Sequence, residues 1–173
     1  MEEHMQALSG NTSVKGGVSS RLSELGITLP APPTPLGSYV ESSDTGNLLF
    51  LSGTLPVVNR KLAIAGRLGE NLSVKEGQEA ARLASLNALA VAREHLGEVD
   101  RLKKLVKLTV LMATTQQFTE HAQVADGASN LFVQIFGREA GHVRLVYGVY
   151  SLPIGAPVIV DTVFEIEPLG SST

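Results

Sequence analysis

Gly141-His142-Val143-Arg144-Leu145-Val146-Tyr147-Gly148-Val149-Tyr150-Ser151-Leu152-Pro153-Ile154-Gly155-Ala156-Pro157-Val158-Ile159-Val160-Asp161 is the stretch on which the fold turns. Residues 143–150 and 158–166 have the β-branched and aromatic content of strands, and residues 152–157 carry Pro/Gly turn chemistry, so the stretch predicts a hairpin-like unit. Arg144 stands at its entrance. A guanidinium at the start of a mostly apolar strand is costly to desolvate unless an anion, a carboxylate or backbone carbonyls satisfy its donors. Arg144 is therefore a candidate ligand-binding residue. A salt bridge across a subunit interface, to Glu41 or Asp161, is the alternative.

N-terminal to this unit, the order of local signals predicts β-β-(β)-α-β-α before the two closing strands. Residues 38–42 and 48–53 are β-prone around a polar turn with Asp44 and Gly46, residues of the kind hairpin turns use. Leu48 to Leu51 is apolar on both sides, which predicts a strand covered on both faces. A short strand at 62–64 and a loop at 66–71 follow. Ser73-Val74-Lys75-Glu76 has capping-box spacing and opens a long Ala-rich helix that runs to Leu96, with Gly97 as stop. Residues 104–112 are β-branched enough for a strand. Thr114 and Gln117 offer a second capping box, opening a helix to Phe136 with Phe118, Ala122, Ala125, Ser129, Phe132 and Phe136 on one face. At the other end, residues 19–29 predict a short helix, and Pro30, Pro32, Pro33 and Pro35 an extended connector.

Two long helices among five or six partly antiparallel strands imply an α+β fold, a mixed β-sheet covered by helices on one face. The opposite face still carries Leu, Val and Tyr, and self-association is the economical way to bury it. The 173 residues fit one domain, residues 19–167, with residues 1–18 as a leader and 168–173 as a tail. A net charge of -3 gives no electrostatic footprint for nucleic acid. The absence of cysteine excludes disulfides and thiolate chemistry and fits a cytoplasmic protein. No apolar run reaches the span of a bilayer, so no membrane partner is expected.

Several of these residues together resemble a known family. Leu36-Gly37-Ser38-Tyr39-Val40, the turn Asp44-Thr45-Gly46-Asn47, Leu51-Ser52-Gly53-Thr54-Leu55-Pro56, and His142-Val143-Arg144 followed by Leu152-Pro153 look like signatures of the YjgF/Rid family, also described as endoribonuclease L-PSP. The loop with Gly66 and Gly69, Glu79-Ala80-Ala81-Arg82-Leu83, Gly127-Ala128-Ser129 and Phe136-Gly137 are similar to its longer-looped bacterial branch. The resemblance implies a chorismate-mutase-like fold of the bacillus type, a homotrimer with clefts between subunits, and no cofactor. It implies hydrolysis of reactive enamines and imines that bear a carboxylate, with release of ammonia and a 2-keto acid. Arg144 would hold the carboxylate of this small metabolite, and Tyr39 with the Ser52 and Gly53 backbone would complete the site. A glutamate on the last strand would assist water addition, and its position here is Ile159. Isoleucine relays no proton. Asp161, two residues on and on the same strand face, about 6.5 Å farther along, is the catalytic candidate that remains. Without such a group, a metabolite-binding protein of the same fold is the alternative to an enzyme.

The other candidates have plainer readings beside the functional ones. Tyr39 supplies a phenol to the ligand or packs at the sheet edge. Ser52 has no nucleophile elbow around it and reads as a turn or backbone-donor residue. His142 shares a strand face with Arg144 and serves a ligand or an interface. His95 and His121 read as ordinary helix residues, and no histidine spacing calls for a metal. Lys103, Lys104 and Lys107 form a local basic cluster without the aromatic platform that RNA binding would add.

Overall fold

The computed structural model describes residues 16–35 and 37–168. Most of the expected leader and tail, and Leu36 of the quoted motif, lie outside the described residues. The elements run α1 (Val18–Glu24), β1 (Ser42–Thr45), β2 (Leu48–Leu51), β3 (Val57–Val58), β4 (Lys61–Leu62), α2 (Val74–Leu96), β5 (Leu102–Ala113), α3 (His121–Phe136), β6 (Val143–Val149) and β7 (Val158–Ile166). β3 and β4 form a separate two-stranded ribbon, and the main sheet has the order β1-β2-β7-β5-β6. The expected α+β layer is present, with α2 and α3 packed on one face of this mixed sheet.

α2 begins as its local chemistry dictates. Ser73 Oγ accepts from the Glu76 N–H at 3.3 Å, and Glu76 Oε2 accepts from the Ser73 N–H at 2.8 Å, so two donors of the first turn find partners. Gly97, with φ 78°, ends the helix. Ala80, Ala81, Ala84 and Ala88 are fully buried, and these small side chains let the helix lie close to the sheet. Gly127 of α3 has the same use against α2. A Cβ there would stand 2.1 Å from the carbonyl oxygen of Gln78, so only glycine allows this approach.

Strand alternation divides the sheet into unlike faces. Leu49, Leu108, Val110, Met112, Val158, Val160 and Phe164 meet the helices and are fully buried, each of the larger ones stabilising the fold by about 1.5–3 kcal/mol relative to exposure. On the other face Phe50, Leu145 and Tyr147 are 44%, 43% and 47% exposed. β2 is therefore covered on one side within the chain, where its apolar sequence predicts cover on both.

Three further expectations need correction. β6 and β7 are not a hairpin: β6 pairs parallel with β5, and β7 pairs antiparallel with β5 and with β2. β5 thus lies between them, and the turn at 150–157 steps over its end. Backbone bonds from Ala113 to Pro157 (2.9 Å) and from Thr114 to Val149 (3.2 Å) fix that crossing. The second capping box does not form. The Thr115 N–H donates to the Leu68 carbonyl and the Leu68 N–H to that of Ala113, holding the chain extended here, and α3 starts at His121 with no side-chain cap. Its buried side is Val124, Ala125, Ala128, Leu131, Phe132 and Ile135, rotated from the face expected of a helix begun earlier. β1 likewise starts at Ser42, beyond Tyr39 and Val40. The reversal after it narrows to Gly46 and Asn47, with Gly46 at φ 59°, the glycine position of a tight two-residue turn.

Candidate functional site

Tyr39, Ser52 and Gly53 are brought to one pocket, lined also by Glu41, Thr34 and Arg60. Two short segments build it: residues 37–41, which lead into β1, and residues 52–54, which leave β2. The Ser52 N–H donates to the Glu41 carbonyl at 2.8 Å, and Ser52 Oγ donates to the Val40 carbonyl at 2.7 Å. That hydroxyl ties two backbone segments together, a structural use in keeping with its turn setting. Thr54 anchors the base of the pocket, its Oγ1 donating to the carbonyl of Ala84 on α2 at 2.9 Å. Ile159 packs behind Gly53, where an added Cβ would fall 2.6 Å from Ile159 Cγ2.

Arg60 reaches the pocket from the β3–β4 turn, where Asn59 and Arg60 have φ of 50° and 64°. Glycine suits the second position of such a turn better than arginine does. The guanidinium donates to Thr34 Oγ1 at 3.0 Å across the pocket wall. Glu41 is partly buried here, and its carboxyl is raised above the ordinary range, first by burial and then by the charge of Glu94.

Arg144 and His142 form a second group, at the far edge of the sheet. Arg144 pairs in register with Leu108, on the helix-covered side. Its Nη1 donates to Asp126 Oδ1 at 2.7 Å and to Ser129 Oγ at 3.0 Å, both on α3. Ser129 Oγ is also 3.0 Å from His142 Nε2. Ser129 Oγ thus bridges the guanidinium and the imidazole. The imidazole is held below its usual pKa, first by burial and then by the charge of Arg144. Within the chain, the ion-pair partner of Arg144 is thus Asp126 rather than Glu41 or Asp161. Both bonds use Nη1, and the Nε–Nη2 edge makes no hydrogen bond among the described residues.

The two groups do not meet within one chain. β2, from which the pocket descends, is separated from β6 by β7 and β5, three strand spacings or about 14 Å. Asp161 does not line the pocket with Tyr39. It lies opposite Thr109 on the uncovered face, two residues beyond Ile159. Sequence reasoning missed Glu41 as a pocket residue, although it alternates with Tyr39. It also missed Asp126 and Ser129 as the seat of Arg144, although their spacing of three puts them side by side on a helix. Among the described residues no cluster of three or more metal-ligating side chains occurs, and no helix is long and apolar enough to cross a membrane.

Comparison with known proteins gives this arrangement a lineage. Residues 19–166 match the family model described as YjgF/chorismate mutase-like, candidate endoribonuclease. Protein TCP17 of Trypanosoma cruzi is 42% identical over 152 residues, 87% of this chain and 95% of that protein. The crystal structure of a candidate endoribonuclease from Shewanella oneidensis MR-1 is similar at a TM-score of 0.83 and 34% identity, covering 87% of this chain and all of that one. RidA of the Antarctic bacterium Psychrobacter sp. PAMC 21119 shares the fold at a TM-score of 0.57 and 20% identity, over 78% of this chain and 94% of its own.

Proposed function

The chain belongs to the YjgF/chorismate mutase-like family, and from that premise we propose that it hydrolyses small, reactive enamine or imine acids in the cytoplasm, releasing ammonia and a 2-keto acid. The observation that carries this reading is the state of Arg144. Asp126 and Ser129 hold its guanidinium through Nη1, and the Nε–Nη2 edge has the geometry that grips a carboxylate through two parallel bonds.

The site is then assembled between copies. The exposed Phe50, Leu145 and Tyr147 of the uncovered face supply the apolar surface for a homotrimer, and Arg144 of one subunit closes over the Tyr39 pocket of the next. The arginine fixes the substrate carboxylate. Tyr39 and the backbone at Ser52 and Gly53 orient the C=N group toward water, so positioning supplies much of the rate for a substrate that is already reactive.

Ile159 favours a second reading, a protein that binds such metabolites without turning them over, because its side chain packs on Gly53 and handles no proton. One experiment separates the two. Ammonia release from freshly generated 2-aminoacrylate and its longer homologues is measured with the native protein, Arg144→Ala and Ile159→Glu. Acceleration by the native protein that Arg144→Ala abolishes supports the enzyme. Saturable binding without acceleration, with turnover appearing only in Ile159→Glu, supports the binder.

A further inference from the structure

Hydrolysis of an imine needs a group that takes a proton from water and returns one to nitrogen, and Ile159 removes the residue expected to do so. Asp161 lies on the uncovered face and outside the pocket lining. Glu41 is the one carboxylate among the residues that line the pocket with Tyr39, Ser52 and Gly53. Its backbone is fixed, since its carbonyl accepts from the Ser52 N–H at 2.8 Å and the Ser52 hydroxyl anchors the neighbouring Val40. Its side chain makes no ion pair within 4.0 Å among the described residues, so it is not consumed by a structural salt bridge. The charged groups around it are Glu94 from α2, which acts on it through its charge, and Arg60 from the β3–β4 turn, which lines the same pocket.

We propose that Glu41 is the catalytic carboxylate of this site, serving the role that Ile159 cannot. The proposal rests on the enamine/imine reading above. Protonated Glu41 first gives its proton to the β-carbon of the enamine: the C=C π pair forms the new C–H bond, and the nitrogen lone pair forms the C=N bond of an iminium. The resulting carboxylate takes a proton from water as the water oxygen bonds to the iminium carbon and the C=N π pair moves onto nitrogen. Glu41 then returns that proton to nitrogen. The C–N bond breaks with its electron pair leaving on ammonia, and the hydroxyl oxygen forms C=O as its proton passes back to Glu41. The net change is enamine acid plus water to 2-keto acid plus ammonia, with Glu41 regenerated as the acid. Partial burial and Glu94 hold the carboxyl above its ordinary range, so both of its forms are accessible closer to neutral pH than for an exposed glutamate.

The test is ammonia release from 2-aminoacrylate across a pH series, with native protein, Glu41→Gln, Glu41→Asp and Arg144→Ala, each checked for an unchanged melting transition. Glu41→Gln is expected to lower kcat by about 100-fold or more with KM changed only a few-fold, and to erase the acid–base limb that Glu41 sets in the native pH profile. Glu41→Asp is expected to keep part of the activity with that limb displaced. A Glu41→Gln protein within threefold of native turnover, while Arg144→Ala is inactive, overturns the role of Glu41 and leaves the enamine reading standing. A native protein no faster than buffer overturns the enamine reading, and the role of Glu41 with it.

Discussion

The pocket under β1 and β2 and the arginine corner on β6 are built in opposite ways. The pocket is made by irregular segments whose backbone is pinned by Ser52 and Thr54, and it gathers Tyr39, Glu41 and Arg60. The corner is made by a regular strand and helix that hold one guanidinium between Asp126 and Ser129. Glu41 of the pocket makes no ion pair among the described residues, and the corner keeps a donor edge on Arg144, about 14 Å away across the same sheet. On the proposed reading one chain carries two half-sites, and the apolar uncovered face would serve the chemistry by bringing different copies of them together.

The strongest way to break this comparison is to keep both halves and prevent their meeting. Leu145→Asp places a charge on the uncovered face, where Leu145 is 43% exposed. Sedimentation should show loss of self-association and turnover should fall to background, while the isolated subunit keeps its stability to within about 0.5 kcal/mol, as for surface changes generally. Next in size is Gly127→Ala. Its Cβ meets the Gln78 carbonyl at 2.1 Å, so α3 must shift away from α2, carrying Asp126 and Ser129 with it. Denaturant unfolding should report a loss of about 2–3 kcal/mol, and the arginine corner should suffer more than the pocket. Asp126→Asn keeps the shape and removes the charge that seats Arg144. The expected result is a rise in KM of about fivefold, near 1 kcal/mol, with kcat unchanged.

The smallest effect concerns pH. Burial, and then the charge of Arg144, make the pKa of His142 lower in the folded chain than in the unfolded one. The stability this contributes is present above the unfolded value near 6.5 and is lost as pH falls through the folded one. His142→Gln should therefore be less acid-sensitive, with the difference in melting temperature confined to pH below 6.5 and amounting to about 2 °C for a fraction of a kcal/mol.

What could be read from the sequence follows the range of the interactions. The start of α2 was legible because the Ser73–Glu76 box closes within one turn. The start of α3 was not, because the backbone at Thr115 is claimed by Leu68, far away in sequence. The strand content of residues 143–166 was legible, but not the insertion of β5 between β6 and β7. Side-chain pattern reports that a segment is a strand and not which strand lies beside it. At the site, Tyr39, Ser52 and Gly53 line one pocket because the Ser52 N–H and hydroxyl tie residues 40 and 41 to the end of β2. The seat of Arg144 on Asp126 depends on how α3 lies over β6, which no local spacing encodes.

The central claim, that a working site takes its pocket from one copy and its arginine from another, is tested most directly by subunit mixing. Tyr39→Ala and Arg144→Ala proteins, each inactive alone, are dissociated, combined in equal amounts and reassembled, and ammonia release from 2-aminoacrylate is measured. Random assembly should pair an intact pocket with an intact arginine at about a quarter of the interfaces, restoring about a quarter of native activity. Mixed assemblies with no more activity than their parents would contradict the claim and return the chemistry to the single chain.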